Sequence, residues 1–220
     1  MTTRNQWVMA AADSPASLGG ALRHFVAAPT VIVLIVLTAG AVGYRLTLGP
    51  GGWTELPLAL FVAALWPLQE WYLHKAVLHQ PPLRIGERRW EPPHVRRHRL
   101  HHLEPWRLDL TVLPLYVHAL APVVVFVAAA LLPATHAATL VAVYFSMALQ
   151  YEWIHFLVHT RYRPRGRLYR SLWRNHRLHH FKNEGYWFGF TVATVDRWLG
   201  TDPDPREVAT SPTARNLGGG

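Results

Sequence analysis

The sequence predicts an all-α integral membrane protein in which four membrane-spanning helices form two hairpins. The first observation is that residues 25–44 contain no charged side chain over a length that can cross the hydrocarbon core of a bilayer. The second is that three further apolar stretches follow at 54–78, 111–132 and 137–159. The third is that Lys and Arg are excluded from all four stretches apart from Lys75, although the net charge is +9.

The segments around these spans define the predicted domain organisation. Residues 1–22 are expected to form an N-terminal segment and residues 23–202 a four-helix membrane domain. Residues 203–220 are expected to be a disordered tail, because the chain ends in small and polar residues (TSPTARNLGGG). Within the spans, acidic side chains occur only at Glu55, Glu70 and Glu152. An even number of spans places both termini on one side of the membrane.

Arginines determine the predicted orientation, since short cytoplasmic loops collect Lys and Arg. The segment after the second span contains Arg84, Arg88, Arg89, Arg96, Arg97, Arg99 and Arg107. The connections at 45–53 and 133–136 carry only Arg45. Both termini and the middle segment are therefore predicted to be cytoplasmic. This topology and attraction to anionic lipid headgroups account for the positive charge, so no nucleic acid partner is expected.

Ten of the 14 histidines lie in four clusters with the spacing of metal ligands. The second span ends with His74 and His79, the fourth span ends with His155 and His159, and each pair is followed by the pentapeptide HRLHH. The two pentapeptides supply His98, His101 and His102, and His176, His179 and His180. Each half of the chain is thus a hairpin that carries one ligand set at the cytoplasmic end of its second helix. The two sets are expected to converge between the hairpins, in a cytoplasmic helical cap that carries a dinuclear metal site.

Helical periodicity gives these spacings a structural meaning. The histidines of HRLHH stand at i, i+3 and i+4, within about 100 degrees of arc, so all three are expected to point to one face. His155 and His159 share a face in the same way. His74 and His79 differ by roughly 140 degrees at 3.6 residues per turn. Either the helix loosens near His79, which the following QPP sequence favours, or these two histidines bind different ions.

The number and type of these ligands predict two ions and a redox metal. Ten neutral imidazoles exceed the four to six positions of a single ion. Cysteine is absent, and all-nitrogen ligation disfavours magnesium and calcium, which leaves iron, zinc, copper or nickel. Because two clusters lie at the ends of membrane helices, the expected substrate is a lipid chain. Its unactivated hydrocarbon requires activation of dioxygen, which favours iron, although zinc can occupy such sites in purified protein.

Two acids and four further histidines receive other roles. Glu70 lies one turn before His74 and Glu152 lies shortly before His155, so each is predicted to accept the proton on the second ring nitrogen of a ligand. The alternative is an interfacial acid beside the Trp that follows each of them. The isolated histidines are interpreted as satisfied or solvated polar residues: His24, His94, His118 and His136.

These motifs resemble the fatty acid hydroxylase and sterol desaturase superfamily of integral-membrane di-iron enzymes over residues 66–202. The separation of the first two histidine clusters and the segment HRLHHFKNEGYWFGFTVATVDRWLGT are most similar to fatty acid 2-hydroxylases. Carotenoid hydroxylases share the phenylalanine-rich FGF stretch. The resemblance implies that the ten clustered histidines bind two iron ions and that dioxygen is the co-substrate in hydroxylation of a lipid acyl chain. One oxygen atom would enter the lipid and the other would leave as water.

The segment after the last HRLHH is predicted to contact the substrate. Its aromatic residues are expected to wall an acyl channel, with anchoring at the membrane interface as the alternative: Tyr186, Trp187, Phe188 and Phe190. Asp196 lies in VDRWLGT, which resembles a C-terminal motif of the same superfamily. It is expected to cap or hydrogen-bond a ligand.

Electrons are expected from an external donor, either a ferredoxin or a cytochrome b5-like protein with its reductase. The chain has no Gly-rich dinucleotide fingerprint and no cysteine for an iron–sulfur cluster. Arg161, Arg163 and Arg165 belong to the basic face on which an acidic donor is expected to dock.

Two alternative functions remain from the sequence. Desaturation of a lipid, sterol or carotenoid would use the same ligands, since the outcome depends on substrate placement. A membrane metal transporter or haem protein is the non-enzymatic alternative. Haem needs paired histidines at mid-membrane, and transport needs polar residues at membrane depth, whereas the clusters here lie at helix ends.

Overall fold

The described part of the chain is built almost entirely from helices. The computed structural model describes residues 14–215. Its α-helices are α1 Leu18–Ala27, α2 Pro29–Thr47, α3 Glu55–Tyr72, α4 Pro93–Leu103, α5 Leu108–Thr111, α6 Leu115–Ala130, α7 Ala134–Val158, α8 Arg167–Phe181 and α9 Thr194–Trp198. A π-helix, Leu73–Leu78, continues α3, and strands β1 Leu83–Ile85 and β2 Arg88–Trp90 form a hairpin. The predicted helical architecture is confirmed, and the hairpin is an addition to it.

Apolar helices occur at each of the four predicted spans. α2 and α3 are consecutive in the chain, as are α6 and α7, and α2, α3 and α6 each pack against α7. Among the described residues, α2 and the stretch Glu55–Leu78 are long and apolar enough to cross a membrane. Both expose large apolar side chains, such as Val36 and Leu60. This exterior suits lipid rather than water. That α6 and α7 also cross the bilayer stays a prediction.

The first helix differs from the predicted boundary between the N-terminal segment and the first span. α1 ends at Ala27, Ala28 is extended (φ −71°, ψ 127°), and Pro29 begins α2. A residue before proline disfavours the helical conformation, and proline suits the first helical turn, so the chain changes direction here. Ala21 and Phe25 of α1 are buried, and Phe25 packs on Trp153 and Phe156 of α7. Residues 14–22 therefore belong to the folded domain, and residues 1–13 lie outside the described residues.

A buried ion pair joins both helix pairs at the end of the bundle opposite to the histidines. Arg45 at the end of α2 donates to the carboxylate of Glu55 at the start of α3, with nitrogen–oxygen distances of 2.6 and 2.8 Å. Thr139 of α7 hydrogen-bonds both side chains. Because both charges and the hydroxyl are satisfied by one another, this cluster can be buried without an unpaired charge.

The hairpin occupies the connection between the π-helix and α4. Leu83 pairs with Trp90 and Arg84 with Arg89 across the two strands. Gly86 begins the turn with φ of 62°, a conformation that strongly favours glycine. The hairpin shortens the path from the end of the π-helix to the first HRLHH segment.

The predicted disordered tail is wrong for residues 203–215. The backbone N–H of Ser211 donates to the carbonyl of Lys182 at 2.8 Å, and Ala214 is 3% exposed. The carbonyl of Ala214 accepts a hydrogen bond from His102. Composition fails here because these polar and small residues are held by backbone contacts with distant segments rather than by a core of their own. Residues 216–220 lie outside the described residues.

Candidate metal centre

The ten clustered histidines converge into two groups, as the sequence predicts. The first group comprises His74, His79, His98, His102 and His179, and the second comprises His101, His155, His159, His176 and His180. Within each group, one nitrogen atom from every ring lies within 4.8 Å of the others. All ten side chains are buried except that of His79, which is partly exposed.

Each half of the chain gives four histidines to its own group and one to the other. His101 of α4 belongs to the second group, and His179 of α8 belongs to the first. The three histidines of each HRLHH, expected to point to one face, are therefore divided between two groups. Residues i+3 and i+4 differ by about 100 degrees on a helix, which is enough for neighbouring rings to enter two adjacent sites.

A π-helix brings His74 and His79 into the same group. A π-helix forms i→i+5 hydrogen bonds, so residue i+5 lies nearly above residue i on the same side of the helix. The ring centroids of His74 and His79 lie 5.1 Å apart, and those of His155 and His159, four apart on α7, lie 5.0 Å apart. Of the two sequence interpretations, the loosened helix is confirmed.

The distances between ring nitrogens test whether metal ions fit these groups. The Nε2 atoms of His79 and His98 lie 3.0 Å apart, and those of His159 and His176 lie 2.9 Å apart. Two imidazole nitrogens bound about 2.0–2.1 Å from one ion at a right angle would be about 2.9 Å apart. The Nε2 atoms of His74, His102 and His155 are buried without a hydrogen-bond partner. Such atoms are costly unless a ligand satisfies them, so the donor set fits two ions.

Backbone carbonyls orient the rings from the opposite side. The Nδ1 atoms of four histidines lie 2.6–2.8 Å from carbonyl oxygens, pairing His74 with Phe188, His102 with Ala214, His155 with Thr111, and His179 with Tyr186. A carbonyl can only accept, so each Nδ1 must carry the proton. The lone pair of each Nε2 is thereby directed into its group, as metal coordination requires.

Burial keeps the imidazoles outside the spans neutral. It lowers the pKa of His98, His101, His176 and His180 well below the usual range, and neighbouring imidazoles lower the pKa further. Neutral imidazole is the form that binds a metal ion, so the electrostatic environment favours coordination at neutral pH.

The three predicted acids bond to groups in neighbouring segments rather than to the ligand histidines. Glu70 accepts from the backbone N–H groups of Phe190 at 2.7 Å and Thr191 at 3.0 Å. Glu152 accepts from Leu113 N–H at 3.2 Å and lies 2.8 Å from Nε2 of His118. No ligand histidine among the described residues bonds either carboxylate. The prediction of a direct contact is wrong, since the Nδ1 atoms of His74 and His155 pair with backbone carbonyls instead.

Asp196 holds the loop whose carbonyl orients His74. Its carboxylate accepts from the backbone N–H groups of Phe188 at 2.8 Å and Gly189 at 2.7 Å, and from the hydroxyl of Thr201 at 2.7 Å. Burial raises the pKa of Asp196 to about 6 despite these donors. A side chain at Gly189 would approach Val195 to 2.6 Å, so only glycine fits this loop.

Of the four predicted aromatic channel residues, Phe188 and Phe190 contact the histidine rings, and none of the four lines the large cavity. Phe188 packs on the rings of His74 and His179, and Phe190 packs on His155. Trp187 is fully buried, and the backbone carbonyl of Tyr186 orients His179. Phe190 alone of the four predicted residues lines a small cavity that His74, His98 and His155 also line.

A larger cavity of about 350 Å³ lies between the apolar helices and reaches His74. Its lining comes mainly from α3, the π-helix, α6 and α7 and includes Trp66, Glu70, Leu73, Val77, Val117, Tyr144, Ala148 and Tyr151. Sequence reasoning missed these residues apart from Glu70, which it predicted as a partner of a ligand histidine instead. Helical spacing could have indicated part of this lining. Trp66 lies two turns before His74 and Glu70 one turn before it, on the same face of the helix.

Comparisons with known proteins point to one family. A family model described as fatty acid hydroxylase matches residues 59–201, more than half of the chain. A solved structure of full-length Scs7p, in which only the hydroxylase domain is visible, superposes with a TM-score of 0.67 at 21% sequence identity. The superposition covers 83% of this chain and 68% of that one, and at this identity it shows the fold alone. No curated protein sequence matches this chain significantly.

Proposed function

Since the chain belongs to the fatty acid hydroxylase family, we propose that it hydroxylates a lipid acyl chain with dioxygen at two iron ions held by the ten histidines. Family membership itself establishes a membrane-associated oxidoreductase of the lipid hydroxylase or desaturase type. The finer proposal rests on one observation: the two five-histidine groups lie at the inner end of an apolar cavity.

The donor set supports iron. Five imidazoles in each group suit a first-row transition metal and leave room for a further ligand on a six-coordinate ion. Bound iron would supply the activation of dioxygen that an unactivated C–H bond requires. The chain would contribute dry surroundings, with every ligand ring except that of His79 buried, and a fixed ring orientation through the carbonyls.

The cavity supports an acyl chain as the substrate. Apolar and aromatic side chains form most of its wall, and Trp66, Tyr144 and Ala148 continue it between α3 and α7 away from the histidines. A chain that enters from the membrane would place one methylene next to His74 while the wall excludes water. The cavity shape therefore sets which carbon is oxidised.

A separate protein would supply the electrons. Incorporation of one oxygen atom into the lipid and release of the other as water consumes two electrons and two protons. Arg165 and Arg167 are exposed at the start of α8, near the second histidine group, and suit docking of an acidic donor. We also propose that all four apolar helices cross the membrane with the histidine groups on the cytoplasmic side, in keeping with the distribution of arginines.

Lipid analysis tests the proposal. The chain and a His101→Ala variant are expressed in an iron-replete host with a competent reductant, and total lipids are compared by mass spectrometry. A gain of one oxygen atom that depends on His101 is the expected result. A loss of two hydrogens instead would identify a desaturase. Identical lipids across several substrate classes would contradict both reactions.

A further inference from the structure

A second cavity, of about 320 Å³, lies away from the substrate cavity and is lined by Ala16, Trp106, Thr160, Arg161, Arg163, Trp173 and Arg177. It is formed by the segment that follows α7 and by α8, together with Ala16 before α1 and Trp106 between α4 and α5. The guanidinium groups of Arg163 and Arg177 both line it, and no acidic side chain lines it among the described residues. Cations converge here without an acid in the wall, which is unfavourable unless an anion joins them.

Arg177 is fixed in the wall of this cavity. Its guanidinium lies 4.8 Å from the ring centroid of Trp173, 5.1 Å from that of Trp106 and 5.2 Å from that of Phe181. Arg163 lines the same cavity as Arg177. A positive group held by aromatic rings near a second positive group is preorganised for an anion.

The remaining polar atoms of the lining favour a ligand that accepts hydrogen bonds. The indole Nε1 of Trp173 is buried and has no hydrogen-bond partner. The hydroxyl of Thr160 already donates to the carbonyl of Leu157 at 2.8 Å. The wall therefore offers guanidinium and indole donors and needs a ligand that only accepts, which is the property of a phosphate.

The position of the cavity favours a lipid as the source of that phosphate. α7 has 25 residues and is about 37 Å long, so in the proposed topology, with α7 crossing a hydrocarbon core of about 30 Å, Thr160 to Arg163 lie at the level of the headgroups. Ala16 of the lining directly precedes α1. α1 exposes Leu18, Leu22 and Val26 on one face while Phe25 is buried against α7, as in a helix that lies in the membrane interface.

We propose that this cavity binds the phosphate of an anionic phospholipid. Arg163 and Arg177 contact the phosphate, Trp173 donates through its indole nitrogen, and the apolar face of α1 rests on the adjoining lipid. None of the ten clustered histidines lines this cavity, and the inference rests on the proposed membrane topology but not on the proposed reaction.

Lipid binding to the purified full chain in detergent tests this site. The probes are short-chain phosphatidylglycerol, short-chain phosphatidylcholine and sodium phosphate, and binding is measured by titration calorimetry. We expect phosphatidylglycerol to bind about tenfold more tightly than phosphatidylcholine, and Arg163→Gln and Arg177→Gln each to weaken it about tenfold, as loss of one charge-assisted hydrogen bond predicts.

Arg174→Gln is the matched control, since Arg174 lies on the exposed side of α8 outside the lining and carries the same charge. It should leave the affinity unchanged. Unchanged melting temperature and metal content confirm that each variant is folded, and Arg163→Gln alone decides the result if Arg177→Gln unfolds. Equal affinity for the two lipids, no effect of Arg163→Gln, or phosphate that binds as tightly as phosphatidylglycerol would overturn the proposal.

Discussion

The two halves of the candidate metal centre reach the same ring geometry with different backbones. His155 lies on the regular helix α7 and His159, four residues later, directly follows its end, whereas His74 lies on a π-helix and His79, five residues later, directly follows its end. Their ring centroids nevertheless lie 5.0 and 5.1 Å apart. The position of the rings, and not the type of helix, is therefore what the two halves share.

The difference between the halves also affects exposure. Every histidine of the second group is buried, whereas His79 of the first group follows the π-helix and is partly exposed. The large cavity reaches His74 of the first group, while the small cavity is lined from both groups. Two ions bound here would therefore be inequivalent, and the first group would lie closer to the substrate.

Substitution of a histidine that one half of the chain gives to the group of the other half should have the largest effect on metal content and activity. His101→Ala should lower metal content from about two to about one per chain through loss of the second group, and His179→Ala should do so through the first. Activity should fall at least 100-fold in each, since loss of a supporting residue alone typically costs about 10–100-fold. Metal analysis and product measurement check this. His24→Ala, at an exposed histidine outside both groups, should retain both.

A change of helix register should distinguish the halves next. Insertion of one Ala between Phe156 and Leu157 rotates His159 by about 100 degrees away from its group and should lower activity by about 10²-fold. Deletion of the exposed Ala76 gives the first pair the four-residue spacing of α7 and should retain metal, with a loss of activity below about tenfold. Metal loss in the deletion variant as severe as in the insertion variant would refute the proposed equivalence.

Substitution of the supporting acids should have a smaller and unequal effect. Asp196→Asn places an amide donor against backbone donors and should lower the metal affinity of the first group about tenfold. Glu152→Gln can keep an acceptor for the backbone N–H of Leu113 and should lower the metal affinity less. Metal titration measures both variants. Asp204→Asn, whose carboxylate bonds the exposed Arg206, is the control and should leave the affinity unchanged.

Chelation should reveal the smallest difference. Because His79 is partly exposed, a chelator should remove about half of the metal several-fold faster than the rest. Time-resolved metal release measures the two phases. His179→Ala, which disrupts the first group, should remove the fast phase. A single phase in the unaltered chain would show that both groups are equally accessible.

Local sequence pattern predicted the parts of this protein that depend on few neighbours. Apolar stretches near the bilayer length located all four long helices, since length and composition suffice for that. The four clusters identified all ten histidines that converge. The same motifs led to the family that the comparison then showed.

Tertiary structure alone decided which residues share a site and what supports them. Helical periodicity assigned HRLHH to one face, but the approach of α4 and α8 divides its histidines between two groups. The carbonyl of Ala214 meets His102 across 112 positions of sequence, and Phe188 meets His74 across 114. Periodicity carries information over a few turns of one helix, whereas a ligand sphere is completed by contacts between distant segments. The sequence therefore determined which side chains could bind metal, and the packing of the helices determined how they are shared.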